Sequence, residues 1–430
     1  MSAASVRPRG PARHVLGFWS LLTLGLNGIV GVGIFFAPAA LAQALPGRAS
    51  ALAFVVTAAL LLPVAWAYGR LGSAYPEDGG PYVWARVALG ERFAFGVGFV
   101  AFASAVLSTA AVVSALGQYL APALGVSGDL GRWAFQIGAA AVFSGIALLG
   151  LQLSAGVWSA LTVLKLLPLL LLAWAGVPSL LGAQPGAFSL SGGGLARAAL
   201  IAVFPLQGFE IVPVPAGEVR GGRRTVLLAT VLSLVFAALL YVLLQLACVA
   251  ALPSLAETPA PIQAAGFRYF HGGATRALFS MGANVSAVGI AFGMFAMTPR
   301  YLSALGTDGL LGSSLSRERR GVPVLALGVT TVVVLLLVSS STLSGLFVLS
   351  SLAVLSQYAV SAAALFRLAW RRERGLGLLD LCLAPLTLLA IFALARAAEA
   401  VELLTLAALL LAGFVLLGVR RRLAAKPGAR

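Results

Sequence analysis

Two apolar stretches of this chain are long enough to cross a bilayer, yet each carries residues that a continuous helix avoids. The first contains Asn27-Gly28-Ile29-Val30-Gly31-Val32-Gly33-Ile34-Phe35, and the second, about half the chain later, Phe204-Pro205-Leu206-Gln207-Gly208-Phe209-Glu210. Gly and Pro release backbone N–H and C=O groups from the helical ladder. Hydrocarbon cannot satisfy those groups, so each interruption must line a cavity or pack on protein. Interrupted spans at corresponding positions of two halves are the pattern from which broken-helix ligand sites are built.

The composition sets the same frame. Of 430 residues, 60% are hydrophobic and 10% charged, against roughly 25% charged in soluble chains. The chain is read as polytopic, all-α and membrane-embedded. Cys248 and Cys382 both lie in apolar runs, so they read as small core residues and suggest no disulfide framework. The first apolar segment lacks a small-residue cleavage site and is read as a span, not a cleaved leader.

Twelve spans are expected, near 17–40, 49–72, 82–120, 133–151, 155–180, 197–216, 225–252, 274–303, 322–338, 342–368, 379–396 and 400–419. The net charge of +16 by itself would suit nucleic acid, but its distribution follows membrane topology. Of 29 Lys and Arg, 22 fall on the side of the N-terminus and 6 on the other, with Lys165 on neither. That asymmetry places both termini in the cytoplasm and brings the basic side against anionic lipid headgroups. Residues 1–15 are expected to form a basic cytoplasmic arm. A ten-helix core follows over 16–368, with repeat one at about 16–181 and repeat two at about 196–368. Two peripheral helices follow over 379–422, then a cytoplasmic tail over 423–430. Five spans per half set the halves in opposite orientations. The third span is too long for one perpendicular crossing of roughly 20 residues, so it is expected to tilt or to run beyond the bilayer. The long outer connection 253–273 has room for a short helix over the outer end.

Four motifs carry a family resemblance: Gly31-Val32-Gly33-Ile34-Phe35; Tyr75-Pro76-Glu77-Asp78-Gly79-Gly80-Pro81-Tyr82-Val83-Trp84; Gly208-Phe209-Glu210 with Gly217-Glu218-Val219-Arg220; and Pro299-Arg300-Tyr301-Leu302-Ser303-Ala304-Leu305 with Asp308-Gly309-Leu310-Leu311. In this order and at these span ends they resemble the amino acid permeases of the amino acid–polyamine–organocation superfamily. The resemblance covers residues 17 to about 322; the last spans match only as hydrophobic helices. It implies the leucine-transporter fold, a 5+5 inverted repeat plus two extra helices with spans one and six broken. The segment Arg220-Gly221-Gly222-Arg223-Arg224 departs from the family, which usually carries an Asn-Pro there.

At the first break, the amides of Val32, Gly33 and Ile34 would open a half-helix, whose N-terminus carries about +0.5 charge and attracts a carboxylate. Carbonyls near Gly28 and Ile29 would accept from an ammonium, and Gly31 and Gly33 would let a ligand approach the backbone. A zwitterionic amino acid presents both groups. Gly28, Gly31 and Gly33 would equally suit close helix packing. At the second break, Pro205 removes a donor and Gly208 tolerates the bend. The family pattern makes Phe204 an aromatic gate, with Phe209 the less favoured candidate; a lipid-facing Phe204 is the other reading.

Two ionisable residues stand inside spans. Glu210 reads as a proton-responsive group or as a polar anchor for the broken backbone. Lys165 is the one basic residue that the charge count assigns to neither side of the membrane, in a chain that has 27 Arg and two Lys. Lys can give up its proton in a protein interior, whereas Arg keeps it. Some proton-coupled relatives place a fifth-span lysine where sodium sits in sodium-coupled ones, and Lys165 matches that place; a lysine snorkelling to the surface is the plainer reading. Ser104, Ser108, Asn284 and Ser286 would either reach the pocket or join helices. His14 and His271 are far apart in sequence and near the surface, so neither a metal site nor a Ser-His-Asp set is expected, and no cofactor. The expectation is a secondary transporter importing an amino acid, neutral because no second carboxylate marks the pocket. Proton symport is favoured over exchange or uniport, and a membrane-embedded enzyme or channel is disfavoured. Arg-rich usage and short loops suggest a bacterial plasma membrane.

Overall fold

The computed structural model describes residues 16–76, 80–150, 155–181, 191–214, 216, 219, 223–307 and 311–424. The expected arm 1–15, Glu77-Asp78-Gly79, Gly217-Glu218 with Arg220-Gly221-Gly222, Asp308-Gly309-Leu310 and the tail beyond 424 lie outside the described residues.

Each expected span is helical. In chain order the helices are α1 (Phe18–Ile29), α2 (Gly33–Ala44), α3 (Ser50–Ala74), α4 (Pro81–Leu89), α5 (Glu91–Ala123), α6 (Gly128–Leu148), α7 (Ala155–Leu181), α8 (Gly192–Leu206), α9 (Arg223–Ala251), α10 (Pro261–Tyr269), α11 (Gly273–Thr307), α12 (Val324–Ser340), α13 (Leu343–Trp370), α14 (Leu378–Ala395) and α15 (Ala400–Ala424). Among the described residues seven helices are long and apolar enough to span a bilayer, and the bent pair α1–α2 makes an eighth. The other four expected spans are helical but fall short of that test: α6, the apolar stretch 164–178 of α7, α12, and 400–415 of α15. Starts are capped where sequence allows. Ser191 accepts from the Gly194 N–H before α8, and Thr342 from the Gly345 N–H before α13, each satisfying an orphan donor.

The overlong third span is divided, and its longer part alone still exceeds one perpendicular crossing of roughly 20 residues. Gly90, at φ 94°, separates the short α4 from the 33-residue α5. That backbone conformation is open to glycine and stops the helix. The loop between α11 and α12 contains a two-residue hairpin, β1 (Glu318–Arg319) paired antiparallel with β2 (Val322–Pro323), which the hydrophobic pattern does not announce.

Packing between helices reveals the internal repeat. α3 lies on α9 and α5 on α11, pairs that map onto themselves when the two halves are exchanged. α1 on α9 is matched by α8 on α3; α7 on α11 by α13 on α5; α6 on α5 by α12 on α11. This exchange symmetry is what five plus five spans in opposite orientation produce. The axis of the bundle is α5: 94% of its apolar stretch is buried, against 33% for the peripheral α14. Exposed Trp19 and Trp370 mark one end, where the arginines concentrate, and exposed Trp133 and Trp174 the other, as in interfacial aromatic belts.

The peripheral helices are tied to the core by two carboxylate–arginine clasps. Asp380 of α14 accepts from Arg70 Nε and Nη2, both at 2.7 Å, and from Trp66 Nε1 at 3.1 Å. Glu402 of α15 accepts from Arg197 Nη1 at 2.7 Å and Nη2 at 2.6 Å. Each is a two-pronged pair whose geometry only arginine supplies. The short helix α10 forms within the long connection and packs on α2, α7, α9 and α11.

Candidate functional site

At the first break the axes of α1 and α2 differ by 51°. The last carbonyls of α1 have no continuing helix to pair with, and local amides together with neighbouring spans supply donors. Leu26 O accepts from Val30 N at 2.8 Å. Asn27 O accepts from Lys165 Nζ of α7 at 3.1 Å. Ile29 O accepts from Tyr241 Oη of α9 at 2.9 Å, and from Gly31 N at 2.7 Å. Lys165 is 6% exposed, so its ammonium does not snorkel to the surface. Among the described residues no side chain caps the start of α2, which leaves its first amides for another acceptor. The side chains of Ile29, Val32 and Ile34 are buried in the core; what these residues can offer a ligand is backbone.

The second break takes the opposite sense. α8 ends at Leu206, Gly208 follows at φ 119°, and Phe209–Ile211 form a tight 3-10 turn. The freed Gly208 N–H donates to Glu210 Oε2 at 2.7 Å, and Tyr358 Oη of α13 donates to the same oxygen at 2.9 Å. Glu210 is thus the polar anchor of the broken backbone.

The glycines divide by role. A Cβ on Gly208 would stand 2.4 Å from Gly28 O, and one on Gly28 would stand 2.8 Å from Gly208 O, so the two breaks abut backbone to backbone. A Cβ on Gly33 would meet Phe204 Cδ1 at 2.9 Å and Pro205 Cα at 3.0 Å. Close packing accounts for all three. Gly31 differs: a Cβ there would meet Ile290 Cδ1 at 3.5 Å, an ordinary van der Waals contact, so a methyl would fit without displacing a neighbour.

Phe204 does not face lipid. It is buried and stacks on Phe347 of α13, with centroids 4.2 Å apart. Phe209 is fully buried and packs with Tyr68 and Tyr358. Ser108 and Ser350 hydrogen-bond each other at 2.7 Å, joining α5 to α13, and Gln207 Nε2 reaches both at 3.3 and 3.4 Å. Asn284 donates to Ser280 O of its own helix. Ser104 and Ser286 are buried. Lys165 and Glu210 serve different breaks, with no bond between them among the described residues. His271 is exposed, His14 lies outside the described residues, and no group of three metal-ligating side chains occurs among them.

The residues that sequence reasoning missed are Tyr241, Tyr358, Phe347 and Gln207. Their signal was present: a tyrosine deep in an apolar span needs a partner for its hydroxyl, and both Tyr241 and Tyr358 sit in such runs.

Two abutting helix breaks, each completed by side chains from other spans and set in a five-plus-five inverted repeat, define a polytopic membrane protein of the broken-helix transporter class. The comparisons with known proteins agree. The amino acid permease pattern matches residues 16–419, and the chain belongs to that family. Human cationic amino acid transporter 4 is 26% identical over 391 residues, covering 84% of this chain but 60% of that protein. An uncharacterized transporter of Mycobacterium tuberculosis is 28% identical over 367 residues, 82% of this chain and 79% of its own. The branched-chain amino acid permease BcaP of Bacillus subtilis is 26% identical over 329 residues, 71% and 70% of the two chains. The chain therefore spans under two thirds of the human relative's length.

Proposed function

We propose that this chain is a secondary transporter that carries a neutral amino acid across the plasma membrane by alternating access, coupled to proton symport, with both termini cytoplasmic. The observation that carries the reading is the pair of abutting breaks. Uncapped amides at the start of α2 suit a carboxylate, and carbonyls ending α1 suit an ammonium. Gly31 is the glycine of the first break that close packing does not require. The neutral preference rests on Glu210: its Oε2 is engaged by Gly208 N–H and Tyr358 Oη, so it is poorly placed to pair with a cationic side chain.

In the coupling step protonated Lys165 donates to Asn27 O and ties α7 to the first break. Release of that proton toward the cytoplasm weakens the tie and favours opening on that side. A proton shifts the two states only by its differential affinity for them. Exchange or uniport is the second reading, because the same bond would serve equally as a fixed structural clasp. Purified protein in liposomes, offered a panel of labelled amino acids with and without an inside-alkaline gradient, separates them. Symport predicts accumulation driven by the gradient; counterflow indifferent to pH would replace it with exchange, and no amino acid flux of either kind would refute transport.

A further inference from the structure

We propose that the groove between the β1–β2 hairpin and α12 binds one anionic phospholipid, its phosphate held by Arg317 and Arg319 and an acyl chain lying along α12. The groove is an open one of about 770 Å³ and combines two unlike walls. At its basic end stand Arg317, Glu318 and Arg319, all exposed. Along its length run Leu325, Gly328, Val329 and Val332 of α12. Their spacing puts them on one helical face, and Leu325, Val329 and Val332 are exposed. A charged mouth opening onto an apolar channel has the chemistry of a phosphodiester joined to a hydrocarbon tail.

Three details separate this groove from the general lipid-facing surface. Gly328 leaves a notch, since a Cβ there would meet nothing within 4 Å, and a chain can lie against bare backbone. The mouth carries a net positive charge, two arginines against one glutamate, which fits an anionic headgroup. The guanidinium is also the side chain best shaped for phosphate oxygens. The hairpin turn is held in an unusual conformation: Arg320 at φ 55° and Gly321 at φ 75° occupy central turn positions where Asn-Gly is favoured. Such a turn requires positive φ at both central residues, so the hairpin holds a defined shape beside α12. Arg300 of α11 donates to Gly321 O at 3.5 Å, steadying the hairpin against the bundle. The arginine-rich end of the bundle is also where anionic lipids are drawn.

The test uses the full chain, purified in detergent and given dioleoyl-phosphatidylglycerol or dioleoyl-phosphatidylcholine, with retained lipid counted by native mass spectrometry. The wild type should keep one phosphatidylglycerol in preference to phosphatidylcholine. Arg317→Gln with Arg319→Gln should lower that retention by about tenfold, the scale of losing charge-assisted bonds to a phosphate. Arg367→Gln with Arg371→Gln removes as much charge from the same end outside the groove and should leave retention unchanged. Gly328→Leu fills the notch and should weaken retention while the melting profile stays that of the wild type. Equal retention of both lipids, equal loss in the two double variants, or displacement of the lipid by inorganic phosphate would each overturn the proposal.

Discussion

Gly208 is the position where one methyl group should do most damage. Its φ of 119° lies outside the range that an L side chain adopts comfortably, a strain of about 1–3 kcal/mol. The added Cβ would also stand 2.4 Å from Gly28 O, 2.5 Å from Gly28 C and 2.7 Å from Ile29 N. All three are backbone atoms that cannot rotate away, and overpacking of that kind costs about 1–3 kcal/mol more. Gly208→Ala should therefore lose about 2–6 kcal/mol or force the two breaks apart. Gly31→Ala is its counterpart: the nearest atom to the new Cβ is a side-chain methyl at 3.5 Å, so stability should stay within about 0.5 kcal/mol, while uptake weakens if the ligand approaches that face. Thermal midpoints come from heating the purified protein and measuring the folded fraction by size-exclusion chromatography; uptake comes from the same preparations in liposomes. A Gly208→Ala protein that melts and transports like the wild type would show that the breaks do not abut. Full uptake by Gly31→Ala at unchanged affinity would remove Gly31 from the proposed binding site.

Lys165→Ala should abolish proton-driven accumulation and weaken binding less; Lys165→Arg should fail as well, because the guanidinium keeps its proton and needs a broader acceptor set. Uphill uptake with the liposome interior alkaline decides this, and accumulation by Lys165→Ala would make the lysine structural. Asp380→Ala strands a partly buried Arg70 and should cost about 2–3 kcal/mol, read as a lower thermal midpoint; an unchanged midpoint would mean that α14 is held by packing alone. Cysteines introduced at Ser5 and Gly428 should react in intact cells only with a membrane-permeant reagent, and labelling of either by an impermeant one would reverse the proposed topology.

The helices were legible because a bilayer leaves few options: any long apolar run must satisfy its own backbone, and the breaks stood out as the places where it cannot. The inverted repeat was legible through the count of spans and the positions of the two interruptions, not through internal sequence likeness. What the sequence did not show was how each break is completed. Gly28, Gly33 and Gly208 look alike as letters, yet only geometry separates them from Gly31, because close packing and ligand approach make the same demand for a missing side chain. The split at Gly90 was hidden for a related reason: apolar residues continue on both sides, and a single positive φ leaves no trace in hydropathy. Tyr241 and Tyr358 were passed over because a tyrosine in an apolar run scores as hydrophobic, while its hydroxyl is the part that matters here.

The clasps follow the repeat more closely than the residue types do. α7, the fifth span, reaches the first break through Lys165, and α13, the tenth span, reaches the second through Tyr358. α9, the seventh span, donates to the first span through Tyr241 at Ile29 O, while α3, the second, donates to the sixth through Thr57 at Ala199 O, 2.8 Å away. Corresponding spans thus do corresponding work with unlike side chains: two donors complete the carbonyls that end α1, and one acceptor, itself held by a tyrosine, completes the amide after α8. Both α1 and α8 end at their breaks with the negative end of a helix; the second break differs in that Gly208 also frees an N–H, which Glu210 accepts. A group able to gain or lose a proton therefore has unequal effects at the two breaks. Losing the proton at Lys165 takes away the charge that strengthens its bond to Asn27 O, leaving a neutral amine as a weaker donor. Gaining one at Glu210 alters an anchor with two donors already in place. That inequality is the physical reason for assigning coupling to Lys165 first and to Glu210 second.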